Sequence, residues 1–248
     1  MVHVAARIEK APAVAVVGDG KRDRGRSGRH GAEVIDWIVL KVSRLPTAVW
    51  AFGFRFMRIS GGPARGIPLR VPAGDAVRPA TDGMRQAVFS SLAARVPGAR
   101  FFDLFAGSGA YGLEALSRGA AGGVFVEKNG KAVACLRVNL AAVCKSLERA
   151  ERDAATILPL DVLSAPLAAQ PAPDLVFVDP PYALIEKIAP ALFAQLTELL
   201  KTKDDPVIVF EMPGELALTP PGWICVKRLG KGAHQPTVCF FKRAPTGP

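Results

Sequence analysis

FDLFAGSGAYG, residues 102–112, combines an apolar start with three glycines at the spacing Gly-x-Gly-x-x-Gly. This spacing is typical of a strand that turns sharply into a helix. Glycine permits the tight turn and lets a ligand approach the backbone with no side chain in between. The stretch therefore predicts a strand, a ligand-binding turn and a helix that contains residues 113–118.

Two kinds of ligand are compatible with the glycine turn. A dinucleotide would use Gly107, Gly109 and Gly112, with Glu127 on the ribose. Asp103 favours the second kind, because a carboxylate before the turn is poorly placed for a pyrophosphate but well placed for a cationic amino-acid group. S-adenosylmethionine carries such a group, so the position of Asp103 favours a methyltransferase over a dehydrogenase.

From residue 100 onward, short apolar segments alternate with longer amphipathic ones. Apolar residues at helical spacing mark one helix at 136–147 and another at 185–199. Strict alternation of strand and helix predicts an α/β, Rossmann-like fold, with a doubly wound and mostly parallel sheet covered by helices on both faces. The predicted strands are residues 101–105, 123–127, 156–161, 175–179 and 207–211.

An acidic residue stands at or beside the end of every predicted strand. A single acid at such a position is as easily explained as a cap for the next helix. Five acids at the carboxyl edge of one parallel sheet indicate a ligand site, because ligands of open α/β sheets bind at that edge. The five acids are Asp103, Glu127, Asp161, Asp179 and Glu211.

Asp179-Pro180-Pro181-Tyr182 follows directly after the apolar strand at 175–178. Successive prolines cannot continue a sheet ladder, so they predict a rigid, exposed turn at the strand end. The alternative is a proline-rich stop with a packed tyrosine. The turn would hold a carboxylate, a backbone carbonyl and an aromatic ring close together.

This arrangement suits methylation of an exocyclic amino group on a nucleobase. The amino nitrogen is a poor nucleophile, because its lone pair is delocalised into the ring. The Asp179 carboxylate and the Pro180 carbonyl could accept its two hydrogens and turn the lone pair toward a methyl donor. Tyr182 could stack on a base removed from its helix. Catalysis would then come mainly from alignment.

The segment before the glycine turn predicts two smaller elements. MRISGGPARGIPLRVP, residues 57–72, alternates apolar and polar residues with breaks at Gly and Pro, which predicts a short β-hairpin. Residues 78–95 predict a helix with Met84, Val88 and Leu92 on one face. Residues 100–243 would form the Rossmann-like core of a domain that covers 57–248.

Residues 1–56 show no clear period and include the tract KRDRGRSGRH. They carry 10 basic and 5 acidic side chains, whereas residues 57–248 carry 22 and 17. The net positive charge per residue is therefore much higher in residues 1–56 than in residues 57–248. Residues 1–56 are predicted to be a disordered extension, with an upstream start before Met57 or a basic RNA-binding arm as alternatives.

Composition limits the class of protein. A net charge of +10 and a pI near 9.8 favour a polyanionic partner. Four cysteines without a Cys-x-x-Cys pair and three histidines predict neither a zinc site nor a disulfide framework, and the thiols are expected to be small core residues in a reducing cytoplasm. The longest uncharged stretch, 162–173, is shorter than the roughly 18 residues of a membrane span.

Four segments together resemble the RsmD family, the bacterial 16S rRNA guanine-N2 methyltransferases of the class I S-adenosylmethionine-dependent superfamily. They occur in the family's order over the part of the chain from Met57 onward. The chain differs from the family pattern around residues 61–69, at Gly83 and Gln86, and at 232–237, and these differences affect RNA placement more than cofactor use. The four segments are MRISGG, RPATDGMRQAVF, DLFAGSGAYGLEALSRGA and FVDPPY.

The resemblance implies a role for each residue that matches the pattern. Asn139 is also similar to the family, although a helix-surface amide is an equally good interpretation. The implied catalytic residues are Asp179, Pro180, Pro181 and Tyr182. The implied cofactor-binding residues are Thr81, Asp103, Phe105, Ala106, Gly107, Ser108, Gly109, Glu127, Lys128 and Asp161. The implied RNA-binding residues are Arg58, Arg65, Arg70, Arg78 and Arg85.

The resulting prediction is a cytoplasmic, metal-free monomer that transfers a methyl group from S-adenosylmethionine to N2 of one guanine in 16S rRNA. The substrate would be small-subunit rRNA or an assembling 30S particle. Adenine-N6 methylation of DNA or RNA by the same Asp-Pro-Pro-Tyr site is the main alternative. A nicotinamide-dependent oxidoreductase and a non-catalytic RNA-binding module are the others.

Overall fold

A seven-stranded, mostly parallel sheet organises the computed structural model, which describes residues 57–72, 81–230, 232 and 235–245. The predicted extension at 1–56 lies outside these residues. The strands are β1 (Arg100–Leu104), β2 (Gly122–Val126), β3 (Ala155–Leu158), β4 (Leu175–Val178), β5 (Val207–Pro213), β6 (Trp223–Leu229) and β7 (Pro236–Arg243). The helices are α1 (Thr81–Ser91), α2 (Ala110–Ser117), α3 (Gly130–Ser146), α4 (Glu151–Ala154) and α5 (Ile185–Leu200).

The strand order β3-β2-β1-β4-β5-β7-β6 places β1 near the middle of the sheet. Strands β1 to β5 are parallel, and β7 is antiparallel to both β5 and β6. The order reverses between β1 and β4, and ligands of open α/β sheets bind in the crevice at such a switch point. The carboxyl ends of these two strands therefore carry the candidate site.

Helices cover the sheet on both faces, as the alternating pattern predicts. On one face, Val88 of α1, Leu113 of α2 and Leu140 of α3 are buried in one apolar cluster. On the other face, Leu192 and Leu196 of α5 belong to a second cluster. Each cluster removes a continuous apolar surface from water, which is the main source of stability for such a domain. The predicted α/β, doubly wound fold is confirmed.

One glycine of the turn is required by packing. A Cβ on Gly112 would lie 2.3 Å from the Cε1 atom of Phe125 and 2.5 Å from the Cε2 atom of Phe101. Real Cβ atoms do not approach other atoms so closely, so helix α2 can lie this near to β1 and β2 only because residue 112 lacks a side chain. The third glycine of the motif thus serves helix–strand packing.

Several predicted boundaries differ from the structure. The predicted strand 156–161 ends at Leu158, and the predicted helix 78–95 is described as Thr81–Ser91. The short hairpin predicted at 57–72 is present in minimal form: Arg58 and Pro68 make an antiparallel bridge, flanked by the hydrogen bonds from the Ile59 N–H to the Ile67 carbonyl oxygen and from the Leu69 N–H to the Met57 carbonyl oxygen. The sequence analysis did not identify β6, which is mostly exposed at the sheet edge, or β7, which is buried between β5 and β6.

The thiols are only partly the core residues that were predicted. Cys144 and Cys239 are buried, whereas Cys135 is half-buried and Cys225 is exposed. Cys225 lies in β6, the strand at the edge of the sheet, in which residues 224–228 are all exposed. The prediction of four buried cysteines was therefore wrong for Cys225.

Candidate active site

The glycine turn at the end of β1 has an unusual backbone. Phe105, Gly107 and Gly109 all have positive φ angles, of 61°, 55° and 88°. A positive φ is uncommon for a residue with a side chain, and residues held in this way concentrate at functional sites. The conformation turns the chain away from the sheet and into α2, and it leaves open space where a Cβ of Gly107 would stand.

Glu127 holds the glycine turn from the end of the neighbouring strand β2. Its Oε2 atom accepts a hydrogen bond from the Gly107 N–H at 2.8 Å, and its Oε1 atom accepts one from the Asn129 N–H at 2.7 Å. Each carboxylate oxygen can accept more than one hydrogen bond. Glu127 is half-buried and therefore both shapes the turn and presents acceptor capacity to a ligand.

Asp103 lies beneath the same turn and is 2% exposed. Its Oδ2 atom accepts a hydrogen bond from the Gly112 N–H in the first turn of α2, at 2.8 Å. Burial raises the pKa of Asp103 to about 8; the Gly112 hydrogen bond lowers it, and the charge of Glu127 adds to the rise. Asp103 therefore caps the helix that follows its strand, which is the alternative explanation given above for a single acid. It also lines a small cavity of about 60 Å³.

A larger cavity of about 390 Å³ opens beside this small one, at the carboxyl edge of the sheet. Its lining includes predicted cofactor residues and the whole Asp-Pro-Pro-Tyr turn. These residues follow different strands, which are distant from one another in the sequence. Asp179 and Pro181 are exposed, Tyr182 is half-buried, and Pro180 is buried. The predicted site residues that line it are Phe105, Glu127, Lys128, Asp179, Pro180, Pro181 and Tyr182.

Both cavities also contain residues to which the sequence analysis assigned no individual role, although Glu211 is one of the five acids at the strand ends. Glu211 and Met57 line both, and Tyr111 lines the smaller one. The Tyr111 hydroxyl donates to Oε2 of Glu211 at 3.0 Å. Burial raises the pKa of Tyr111 well above its usual range, and the charges of Glu211 and Asp179 add to this rise. The phenol therefore stays a hydrogen-bond donor at neutral pH.

Asp161 and Lys128 form an ion pair at the rim of the larger cavity. The Nζ of Lys128 lies 2.9 Å from Oδ2 of Asp161, and the Lys128 hydrogen bond is the main cause of the lowered pKa of Asp161. Asp161 does not line the cavity, although its neighbours Leu160 and Val162 do. Of the other predicted cofactor residues, Ala106 lines the smaller cavity, and Gly107, Ser108 and Gly109 line neither.

The predicted RNA-binding arginines separate into different groups. Arg58, Arg65 and Arg70 are exposed on the segment at 57–72. Arg78 lies outside the described residues, as does the side chain of Thr81.

Arg85 is a correction to the prediction. Its side chain is 2% exposed, its Nη2 donates to the Arg58 carbonyl oxygen and to Asp82, and its Nε contacts Glu114. These internal partners hold the guanidinium inside the protein, where Arg85 lines the smaller cavity, so it is not exposed on the surface as the prediction of an RNA contact requires.

Glu114 and Asn139 are buried polar residues that the sequence analysis did not interpret correctly. Glu114 is 0% exposed and accepts hydrogen bonds from the N–H and hydroxyl of Ser60 and from Arg118. Asn139 is 1% exposed and donates to the Ser108 carbonyl oxygen, so it is not a surface amide. The sequence does not reveal that these polar side chains are buried, because the Ser60 and Arg70 partners that cover them are distant along the chain.

Two further findings concern only the described part of the chain. Within residues 57–72, 81–230, 232 and 235–245, no group of three or more His, Cys, Asp or Glu side chains could hold a metal ion. In the same residues, no helix has the length and apolar character that a membrane crossing requires.

Comparison with known proteins extends these observations. The family described as "Conserved hypothetical protein 95" matches residues 57–241. The chain is 33% identical over 177 residues to "Ribosomal RNA small subunit methyltransferase D" of Haemophilus influenzae, which covers 71% of this chain and 89% of the relative. It is 40% identical over 127 residues to the protein of that name in Escherichia coli, which covers 51% of this chain and 60% of the relative.

A solved structure is also similar to this chain. "Putative methyltransferase yhhF from Escherichia coli" superposes with a TM-score of 0.59 at 30% identity, over 76% of this chain and 98% of that one. These similarities support neither an oxidoreductase nor a binding module without catalytic function. The chain belongs to the RsmD family of S-adenosylmethionine-dependent methyltransferases of class I fold.

Proposed function

We propose that this protein transfers a methyl group from S-adenosylmethionine to the exocyclic N2 amino group of one guanine in 16S rRNA. The observation that carries the proposal is the convergence of Glu127, Phe105 and the Asp179–Tyr182 turn on one cavity of about 390 Å³. Relatives named for methylation of small-subunit ribosomal RNA support the choice of substrate. The substrate would be free rRNA or an assembling 30S particle, and the enzyme would act as a cytoplasmic monomer.

The residues present suit the cofactor. The volume of the cavity falls within the roughly 300–1,000 Å³ that is typical of small-molecule sites. When bound, S-adenosylmethionine supplies an electrophilic methyl group on a sulfonium centre. Glu127 would accept hydrogen bonds from the ribose hydroxyls, and Asp103 would pair with the cationic amino group. Phe105 would contribute an apolar wall, and Asp161 would meet the adenine amino group from the rim.

The Asp-Pro-Pro-Tyr turn would hold the target base. The Asp179 carboxylate and the Pro180 carbonyl would accept the two hydrogens of the amino group, so that its lone pair turns toward the methyl group. Tyr182 would stack on the base. A nitrogen–carbon bond would form as the carbon–sulfur bond breaks with its electron pair left on sulfur, and the methylated nitrogen would then lose a proton to carboxylate or water. Positioning of this kind can supply a large part of a catalytic effect.

The exposed arginines would bind the RNA backbone. Arg58, Arg65 and Arg70 lie on one short segment at 57–72, and phosphate binding by clustered cations releases counterions from the RNA. Activity should therefore fall steeply as salt concentration rises. An arginine-to-glutamine change at any of the three should raise the KM for RNA and leave cofactor affinity unaffected.

The test is methylation in vitro with radiolabelled S-adenosylmethionine. Small-subunit rRNA and 30S particles from cells that lack this methyltransferase would be incubated with the protein, and the nucleosides would be analysed by mass spectrometry. Labelled N2-methylguanosine at one site is the expected product. Labelled N6-methyladenosine would replace the proposal by the adenine alternative.

The Asp179→Asn variant is the matched control for that assay. It preserves the shape of the side chain but replaces one acceptor with a donor, so it should bind cofactor and give little labelled product. No label from the wild-type protein on either substrate, despite measured cofactor binding, would contradict an rRNA substrate.

A further inference from the structure

We propose that Glu211 determines the choice of base. Its carboxylate accepts a hydrogen bond from N1–H of the target guanine, and it repels the N1 lone pair of adenine at the same position. The inference rests on the proposed function, since it assigns a role within the site for the target base. It concerns a residue of strand β5, whereas the residues proposed to hold the amino group follow strand β4. The argument uses the register of the sheet, the contacts of Glu211 and the hydrogen-bonding edges of the bases.

The sheet places Glu211 beside Asp179. In the parallel pair of β4 and β5, Val178 is opposite Phe210. Asp179 and Glu211 are the next residues of the two strands and are therefore neighbours, since adjacent strands are about 4.8 Å apart. Asp179 lies just beyond the end of β4, whereas Glu211 is still within β5 and is opposite Val238 of β7. Both residues line both cavities. Two carboxylates therefore face the place where the target base would be held.

A buried phenol orients the Glu211 carboxylate. The Tyr111 hydroxyl donates to its Oε2 atom at 3.0 Å. The Tyr111 ring stacks on Phe177, with 5.4 Å between the ring centroids and 15° between the planes, so the hydroxyl has a fixed position. A carboxylate has two oxygens and about four acceptor positions, so it can accept from a phenol and from a base at the same time. Tyr111 thus orients the carboxylate of Glu211.

Two adjacent carboxylates complement guanine and not adenine. Guanine presents two neighbouring donors on its Watson–Crick edge, the N2 amino group and N1–H. Adenine presents its N6 amino group beside N1, which is an acceptor. With the amino group at Asp179, the next ring position would face Glu211. Guanine would donate the hydrogen of N1 to the Glu211 carboxylate. In adenine the N1 lone pair would face the carboxylate, and two acceptors in contact are unfavourable in a desolvated site.

The main alternative is a structural role, in which Glu211 serves only as the acceptor for Tyr111. Four RNAs that differ in one base separate the two roles. The target position would carry guanine, 2-aminopurine, inosine or adenine. 2-Aminopurine retains the amino group but has an acceptor at N1, and inosine retains N1–H but lacks the amino group. The enzymes compared would be the wild type, Glu211→Gln and Tyr111→Phe.

The wild-type enzyme should prefer guanine to 2-aminopurine by about 100-fold or more in kcat/KM. Glu211→Gln should reduce this preference at least about tenfold, because an amide can either accept from N1–H or donate to an unprotonated N1. Tyr111→Phe retains the carboxylate, so it should lower activity on both RNAs by a similar factor. The RNA with inosine should inhibit the wild type more strongly than the same RNA with adenine.

Several results would overturn the inference. One is a wild-type enzyme that uses guanine and 2-aminopurine equally and is inhibited equally by the RNAs with inosine and adenine. This result does not depend on whether any variant folds. Another is a Glu211→Gln enzyme that binds S-adenosylmethionine normally but loses activity equally on both RNAs. In each case N2-methylguanosine as the wild-type product would leave the proposed function intact, whereas N6-methyladenosine would remove both.

Discussion

Asn139 binds the backbone of Arg70 through both ends of its amide. Its Oδ1 atom accepts from the Arg70 N–H at 2.8 Å, and its Nδ2 atom donates to the Arg70 carbonyl oxygen at 2.9 Å. The second Nδ2 hydrogen is directed to the Ser108 carbonyl oxygen at 2.9 Å. One buried side chain of helix α3 therefore connects the arginine-bearing segment at 57–72 to the glycine turn.

Asn139→Ala should lower the free energy of unfolding by about 2–4 kcal/mol, because it leaves buried backbone groups without partners. Chemical denaturation would measure the change. Asn129→Ala is the control from the same helix, since Asn129 is an exposed N-cap residue whose loss should cost about 1 kcal/mol. Equal effects of the two substitutions would contradict the role of Asn139 as a buried connector.

Glu114→Gln should be more destabilising, by about 3–5 kcal/mol, because it removes the charge that faces the buried Arg85 guanidinium. Glu198→Gln makes the same chemical change in an exposed pair with Lys201 and should cost less than about 1 kcal/mol. Adding Arg85→Met to Glu114→Gln should restore part of the lost stability. A double variant whose loss equals the sum of the single losses would argue against direct coupling.

Asp103 predicts a dependence of stability on pH in the ligand-free protein. Its pKa is about 8 in the folded chain, whereas an unfolded aspartate has a pKa of about 4. Between these values the folded state binds a proton that the unfolded state has lost, so the contribution of Asp103 to stability decreases as the pH rises from about 4 to about 8.

Asp103→Asn should remove that dependence. The melting temperature of the variant, relative to the wild type, should therefore increase between pH 5 and pH 8.5, and thermal unfolding at several pH values would measure it. A constant difference across this range would show that Asp103 has an ordinary pKa.

Asp179→Ala and Glu127→Ala should affect different kinetic quantities. Asp179→Ala should lower kcat by about 100-fold or more and leave cofactor affinity nearly unchanged, because its proposed contact is with the target amino group. Glu127→Ala should weaken cofactor binding, because Glu127 holds the Gly107 N–H and faces the larger cavity. Titration calorimetry with S-adenosylmethionine and single-turnover rates would separate the two. Similar losses of cofactor affinity in both variants would refute this division.

A chain that begins at Met57 should retain its cooperative thermal unfolding and its cofactor affinity. The family match begins at residue 57, and Asp103, Glu127 and Asp179 all lie after that point. Thermal unfolding and calorimetry of both chains would test this expectation. A broad transition or insolubility of the shorter chain would show that residues 1–56 contribute to the core.

Local patterns were sufficient to predict the main part of the fold. The spacing of Gly107, Gly109 and Gly112 predicted the turn between β1 and α2, and apolar periods predicted α3, α5 and the five parallel strands. Ends of elements were less accurate, because the pattern of residues 156–161 does not show where pairing with β2 stops. Strand β6 was not identified, because most of its residues are exposed and give no apolar alternation. Strand β7 was missed although its apolar residues 238–241 are buried.

The candidate site was predicted where sequence motifs coincide with strand ends. Asp179 and Tyr182 belong to one short motif, and Glu127 follows a clear apolar strand, so their meeting at one edge followed from the parallel order. Arg85 was assigned wrongly, because an arginine in a basic segment gives no sign of whether its charge faces solvent or a buried acid.

The sequence by itself determined the α/β class, the glycine turn and the placement of Asp103, Glu127 and Asp179 at one sheet edge, because these depend on periods and turns of a few residues. Only the tertiary structure decided which side chains pair over long separations. Asn139 meets Arg70 across 69 positions, and Tyr111 meets Glu211 across 100. Such pairs depend on how helices pack on the sheet, and packing brings together residues whose local patterns are independent of each other.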